Sequence, residues 1–271
     1  MKPYLRGYRH TMRQARKFQT QPPAEMPNET TLAKRQALVE VANQIDAIAS
    51  GVQLYEAADG GLAKQLAVAT AIVDMRALLT PEVMQPVMAL MNTGLGFATD
   101  QDPARPSRTN ANPRPYSVEQ VREVVIEAKL RGFNLVGQEF NIIAGKFYAC
   151  KNGLSRKVRD LRQHGVSKFR DFYDLPVISA DGSSARVKCR AQWEQAGKVE
   201  KVEFEFFIKL HGMGADAALG KAERRLAKEV LKFLTGDTTP AGDVDDEPQE
   251  ASAAAKPATV RVRTIPDHVP T

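Results

Sequence analysis

The stretch that decides the fold is residues 185–210, which read ARVKCRAQWEQAGKVEKVEFEFFIKL. In both halves, apolar and charged residues alternate with the period of two that a half-buried strand requires. A two-residue turn at Ala196-Gly197 joins the halves, so we expect an antiparallel pair with one buried and one charged face. The expected register forms two oppositely charged cross-strand pairs, Arg190 with Glu203 and Lys188 with Glu205. We therefore expect the charged face, including Arg186, to be internally neutralised.

Helices and shorter strands are predicted before and after this stretch. Apolar residues at helical spacing predict helices over residues 32–49 and 62–79, and Thr80-Pro81 begins a third, Met-rich helix kinked by Pro86. A capping box at Ser117 and Gln120 begins a helix that stops at Gly132. A hairpin is expected over residues 140–150, then a short helix ending at Gly165 and a strand over residues 174–180. A long amphipathic helix follows Gly214 and runs to Leu234. This order predicts an α+β fold with a mainly antiparallel sheet, in which a hairpin and a three-stranded meander pack against helices and follow an N-terminal helical region.

Charge divides the chain into segments of different sign, although the net charge is only +6. The net charge is +5 over residues 1–25, −2 over 26–114, +7 over 115–236 and −4 over 237–271. Four prolines mark a linker within residues 98–115. The predicted organisation is a basic flexible arm (1–30), a helical region (31–97), the linker, an α+β core (116–236) and an acidic disordered tail (237–271). A basic core points to a polyanionic partner.

The function of the basic arm is open between three interpretations. It can grip phosphate, it can act as a transit peptide in a eukaryote, or it can be translated sequence upstream of a start at Met26. The methionines of the helical region are similarly open, because they suit an adaptable subunit interface and equally a core.

Several classes of protein are disfavoured by the sequence. The metalloprotease, α/β-hydrolase, EF-hand and dinucleotide motifs do not occur, and the phosphate-loop lookalike from Gly214 to Ala222 has the wrong glycine spacing. Two cysteines outside any CxxC exclude a disulfide framework and a cysteine-based zinc site. The sequence lacks a signal peptide and a membrane span. We therefore expect a non-enzymatic protein of the reducing cytoplasm, with no cofactor and no metal.

Basic side chains concentrate in residues 146–170, where eight positive charges face one internal acid, Asp160. Leu154, Val158 and Leu161 face the core, so the arginines between them are expected to point elsewhere, and nearby aromatic rings offer stacking faces for bases. The last helix carries a second basic stripe, which helix-dipole pairing explains equally well. The candidate DNA-binding residues are Lys146, Tyr148, Lys151, Arg156, Lys157, Arg159, Arg162, Lys221, Arg224, Arg225 and Lys228. Five or six phosphate contacts by such residues predict a log–log salt slope of roughly −4 on single strands.

Residues 139–154, which read EFNIIAGKFYACKNGL, resemble the phage-borne RecT and Red-beta single-strand annealing proteins. In that family a hairpin leads into a Lys-Gly-Leu helix start, and a three-stranded sheet and a basic helix follow. The sequence departs from the pattern where Asn152 separates Lys151 from Gly153 and where Ala149-Cys150 replaces a glycine-containing step.

The resemblance, which covers about residues 115–236, implies a recombinase that anneals complementary single strands of DNA without ATP. It also implies a homo-oligomeric ring or helix in a bacterial host, with a phage exonuclease or a host single-strand-binding protein as a further partner. By the same resemblance, Lys151 and Arg156 hold phosphates beside the hairpin, and Arg225 and Lys228 hold them from the last helix. The alternatives are a non-annealing nucleic-acid-binding accessory, an assembly protein whose basic face meets an acidic partner, and a nuclease with unrecognised carboxylates.

Overall fold

A computed structural model describes residues 29–52, 61–106 and 111–242. Most of the predicted basic arm, the centre of the predicted linker and residues 243–271 of the predicted acidic tail lie outside these described residues. The chain divides into two compact units, residues 1–40 and 41–271, and the boundary falls inside the first helix. Every described element after this helix belongs to the second unit.

The described residues form an α+β fold with six α-helices and mainly antiparallel sheets, as the sequence predicts. The helices are α1 (Glu29–Ser50), α2 (Leu62–Leu78), α3 (Pro81–Met88), α4 (Val118–Leu130), α5 (Lys151–Asp160) and α6 (Ala215–Thr235). The strands are β1 (Ala98–Thr99), β2 (Phe140–Ile143), β3 (Lys146–Ala149), β4 (Val166–Tyr173), β5 (Val177–Ile178), β6 (Ser184–Gln195) and β7 (Lys198–Lys209). A 3-10 turn, Leu161–His164, follows α5 and ends at the left-handed Gly165.

The first sheet has the order β1-β2-β3 and packs against α4. The β2–β3 hairpin is confirmed, and its turn residues Ala144 and Gly145 both adopt positive φ angles. The predicted capping box at the start of α4 is also confirmed, because the Ser117 hydroxyl accepts from the Gln120 amide while the Gln120 side chain accepts from the Ser117 amide. The beginning of the predicted linker is ordered, since β1 pairs in parallel with β2.

The second sheet places β6 between β7 on one side and β4 and β5 on the other. The predicted cross-strand register of β6 and β7 is confirmed, with Arg190 opposite Glu203 and Lys188 opposite Glu205. Apolar side chains of both strands are buried on one face, beneath α6, while the opposite face remains exposed. This arrangement leaves a broad sheet surface open to solvent.

The strand expected over residues 174–180 is confirmed only over its centre, and the longer strand before it was not predicted. An eight-residue strand, β4, ends at Tyr173, and only Val177–Ile178 pairs within the expected range. A register shift between Ser167 and Arg170 interrupts the alternation, and Lys168 there has a positive φ of 51°. Because a bulge breaks the period of two, the apolar pattern does not reveal the strand.

The first six residues of the predicted disordered tail are ordered, which corrects that prediction in part. Ala241 forms a parallel bridge with Ala149, and the Ala149 amide donates to the Pro240 carbonyl at 2.8 Å. The Gly242 amide donates to the Ala149 carbonyl in turn. Residues 237–242, which we call the C-terminal strap, therefore lie along the outer edge of β3.

Candidate nucleic-acid interface

Arg156 lies in an internal network rather than on an open basic face, which corrects its expected placement. Its guanidinium donates to Glu139 Oε1 at 2.6 Å and Glu139 Oε2 at 2.7 Å. It also donates to the Asp160 carboxylate at 2.8 Å and to the Gly132 carbonyl at 2.6 Å. These bonds connect α5 to the residue before β2 and to the turn after α4, so they serve the fold.

Glu139 is the buried carboxylate at the centre of this network. Burial by itself would raise its pKa, but hydrogen bonds from Arg156 and from the backbone and side chain of Asn134 outweigh burial and hold the pKa below its usual value. Glu139 is therefore ionised at neutral pH, and it requires the Arg156 charge beside it.

Lys157 is also occupied by internal contacts. Its ammonium donates to Asp237 Oδ2 at 2.5 Å and to the Arg131 carbonyl at 3.0 Å, and it lies 5.0 Å from the centre of the Phe133 ring. Since Asp237 belongs to the C-terminal strap, Lys157 holds the strap against α5.

The basic residues of α6 do not form one free stripe. Arg224 is buried, and Arg225 donates to the Phe207 carbonyl at 2.7 Å. Lys221 and Lys228 are half-buried. On the facing helix, Lys151 forms an ion pair with Glu223 of α6. Much of the positive charge expected here therefore connects elements to one another.

The remaining candidate residues differ in their exposure. Lys146, Arg159 and Arg162 are exposed, and they keep their expected place at the surface. Tyr148 is half-buried, and a Cβ atom at Gly242 would lie 2.9 Å from its ring. The C-terminal strap therefore covers part of the ring face that was expected to stack on bases.

The open face of the second sheet presents a stronger basic surface than α5 and α6 do. We call this surface the sheet face. Its charged side chains give a net charge of +3, with seven basic and four acidic residues. The basic residues are Lys168, Arg170, Arg186, Lys188, Arg190, Lys201 and Lys209, and the acidic residues are Asp174, Glu194, Glu203 and Glu205.

Two exposed phenylalanines lie on the sheet face, each beside an arginine of β6. Phe207 of β7 is 62% exposed, and Phe172 of β4 is 43% exposed. The guanidinium carbon of Arg186 lies 5.0 Å from the centre of the Phe207 ring, and that of Arg190 lies 5.7 Å from the centre of the Phe172 ring. Each ring is directly across from its arginine in the strand register. Exposed rings next to cations form a surface on which unpaired bases can stack.

The expected neutralisation of this face is incomplete. Within the described part of the chain, the two arginines of β6 form the ion pairs Arg186 with Glu205 at 3.7 Å and Arg190 with Asp174 at 3.6 Å. All four side chains are substantially exposed, so these pairs are weak. Four other basic residues make no ion pair with any described residue: Arg170, Lys188, Lys201 and Lys209.

Sequence reasoning missed the sheet face for two reasons. The sheet face was expected to be neutral because Arg190 lies opposite Glu203 and Lys188 lies opposite Glu205. Residues that lie opposite each other need not form close ion pairs. Phe172 lies on β4, which the alternation did not reveal. One signal was available, because Phe207 is an aromatic residue at an outward position of a strand whose outward neighbours are charged.

Among the described residues, no group of three or more His, Cys, Asp or Glu side chains is placed to hold a metal ion. No helix in that part of the chain combines the length and the apolar character needed to cross a membrane.

Comparison with protein-family models, with curated proteins and with solved structures found no match to the chain. The fold and the sheet face define an α+β protein with a basic, aromatic-bearing surface. Its resemblance to the single-strand annealing proteins stays a prediction.

Proposed function

We propose that this protein binds single-stranded DNA across the sheet face and promotes ATP-independent annealing of complementary strands during recombination. The observation that carries the proposal is the pair of exposed phenylalanines set among basic residues on one open sheet. Lysines and arginines neutralise phosphates, and exposed rings stack on bases that are free of a partner strand. A duplex keeps its bases stacked inside, so this combination favours single strands.

Annealing fits this surface because it requires binding and positioning rather than catalysis. A strand on an open face keeps one side accessible to a second strand, while reduced phosphate repulsion lets the two strands approach. The resemblance of residues 139–154 to annealing proteins supports the same activity. We extend the proposal to a homo-oligomer in the cytoplasm of a bacterial host, with a phage exonuclease or a host single-strand-binding protein as a partner.

The first experiment tests where DNA binds. The affinity for a labelled oligothymidine is measured by fluorescence anisotropy at several salt concentrations. The variant Lys188→Gln/Lys209→Gln removes two exposed charges of the sheet face, and Arg105→Gln/Arg114→Gln removes two exposed charges elsewhere as the matched control. Loss of two phosphate contacts predicts a log–log salt slope shallower by about 1.4 for the first variant only. Equal slopes in both variants would exclude the sheet face as the binding surface.

The second experiment tests what binding achieves. Donor- and acceptor-labelled complementary strands are mixed with the protein in the absence of nucleotide, and energy transfer is followed over time. We expect duplex formation faster than without protein, with the advantage declining as salt rises. Binding without acceleration would support the non-annealing accessory instead. An absence of saturable binding would support the assembly protein with an acidic partner.

A further inference from the structure

We infer that the sheet face holds a single strand at two base-stacking subsites, Phe172 and Phe207, along a path that crosses the sheet diagonally. This inference deepens the proposed function and rests on it. In this arrangement the protein recognises bases at the two ends of the path and phosphates between them.

The register of the second sheet fixes the path. Phe172 lies across from Arg190, and Phe207 lies across from Arg186 on the opposite side of β6. Arg186 and Arg190 are four residues apart, which is about 13 Å along a strand. The two outer strands are separated by two interstrand spacings, or about 10 Å. The rings are therefore about 16 Å apart on the diagonal.

The centre of this path is basic. Lys188 lies on β6 between the two arginines, its side chain is exposed, and it forms no ion pair with any described residue. A strand that stacks one base on each ring brings the intervening phosphates over Lys188. At the duplex spacing of about 3.4 Å per nucleotide, the two subsites lie about five nucleotides apart, and an extended strand needs fewer.

The two rings contribute separately because they differ in their surroundings. Phe207 has the exposed apolar Val177 on the far side of Arg186, since both residues pair with that arginine. Phe172 has Glu203 on the far side of Arg190. The more exposed and more apolar surroundings of Phe207 make it the stronger subsite. Nucleotides between the rings remain unstacked by the protein and are free to test pairing with a second strand.

The test separates base recognition from phosphate recognition. Anisotropy is measured for oligothymidines of two to ten nucleotides and for an eight-nucleotide strand in which every position is abasic. The proteins are the full-length chain and its variants Phe207→Ala, Phe172→Ala and the double variant. Val199→Ala is the matched control, because Val199 is an exposed apolar residue of β7 on the same face. Circular dichroism checks that each variant is folded.

We expect the full-length chain to bind the abasic strand at least fivefold more weakly than the oligothymidine, since stacking of one base contributes about 1–3 kcal/mol. The double variant should lose this difference, Phe207→Ala should reduce it more than Phe172→Ala, and Val199→Ala should retain it. Affinity should rise steeply as the strand lengthens to about six nucleotides, where both rings can be occupied at the duplex spacing.

Two results would overturn the inference and are distinguishable from each other. If the full-length chain binds the abasic strand and the oligothymidine equally, the sheet face recognises phosphate alone, and the proposed function survives without the stacking subsites. If neither strand binds saturably, the proposed function itself fails. Rescue of Phe207→Ala by Phe207→Tyr, but not by Phe207→Leu, would show that the aromatic ring rather than apolar bulk is required.

Discussion

The Arg156 guanidinium forms hydrogen bonds to two carboxylates and one carbonyl, and its main partner Glu139 is buried. A buried carboxylate without its cation must either carry an uncompensated charge or take up a proton, and both cost free energy. Arg156 therefore stabilises the buried charge of Glu139. Glu139 in turn accepts hydrogen bonds from Asn134 in the loop before β2.

Replacing Arg156 with alanine tests this role. We expect Arg156→Ala to lower the free energy of unfolding by about 3 kcal/mol, because Glu139 is left buried and unpaired. Urea denaturation at pH 7 measures the change. The control is Arg159→Ala on the same helix, since Arg159 is exposed, and its effect should stay within about 0.5 kcal/mol. Similar losses in both variants would contradict a network centred on Arg156.

At the scale of elements, α5 packs tightly at Gly153 against Phe133 and Glu139, which precede β2. A Cβ atom there would lie 2.5 Å from the Glu139 carbonyl oxygen and 2.6 Å from the Phe133 ring. Both neighbours are held in place, one by the backbone and the other by edge-to-face packing on Phe147. Any larger residue at this position must push α5 away from the hairpin.

We therefore expect Gly153→Ala to destabilise the protein by about 1–3 kcal/mol, despite the better helix propensity of alanine. Gly220 provides the control, because it lies within α6 and an added Cβ would meet nothing within 4 Å. Gly220→Ala should stabilise the protein by about 0.5–1 kcal/mol. Thermal unfolding of both variants gives the comparison, and a stabilised Gly153→Ala would disprove the close approach.

The C-terminal strap completes the first sheet, because it pairs with the buried Ala149 at the outer edge of β3 and brings Asp237 to Lys157. A chain ending at Gly236 loses both interactions, and we expect it to lose about 2–4 kcal/mol of stability. A chain ending at Gly242 retains both interactions and should exceed the chain ending at Gly236 in stability by this amount. The midpoints of urea unfolding are measured for the three chains. Equal midpoints would mean that the strap does not contribute to stability.

The elements that sequence predicted well are those whose signals are local. The β6–β7 hairpin has uninterrupted alternation and a turn with two positive φ angles, and α4 has a complete capping box. The strap was predicted to be disordered because its composition is polar and proline-containing. Its order depends on β3 and Lys157, which are distant in sequence and supply the partners that composition does not show.

At the scale of the whole molecule, the distribution of charge predicted a basic core but not which surface carries it. Sequence spacing shows on which face of a helix a basic residue lies. It does not show which acidic residue of another element forms an ion pair with it. Glu139, Glu223 and Asp237 are such partners, and each comes from outside the predicted basic stretch that it neutralises. The sheet face emerges only when β4 is added to the predicted hairpin.

The same internal pairs determine how the whole molecule responds to acid. Burial would raise the pKa of Asp237, but the Lys157 charge and hydrogen bonds from Lys157 and Thr239 outweigh it and hold the pKa below the usual value, as in Glu139. A carboxylate whose pKa is lower in the folded state contributes stability above its unfolded pKa, near 4, and loses it as the pH falls through the folded pKa.

We therefore expect Glu139 and Asp237 to contribute a nearly constant stability between pH 7 and about pH 5. Their contribution should decrease once the pH is lower than about 4. Urea midpoints measured from pH 7 to pH 3 test this. Asp237→Asn should be less stable than the unmodified chain at pH 7 but should lose less on acidification, because one of the two titrating groups has been removed. If the urea midpoint of Asp237→Asn declines as steeply as that of the unmodified chain, Asp237 carries no depressed pKa. If the midpoint of the unmodified chain has already fallen fully at pH 5, other groups determine the acid sensitivity.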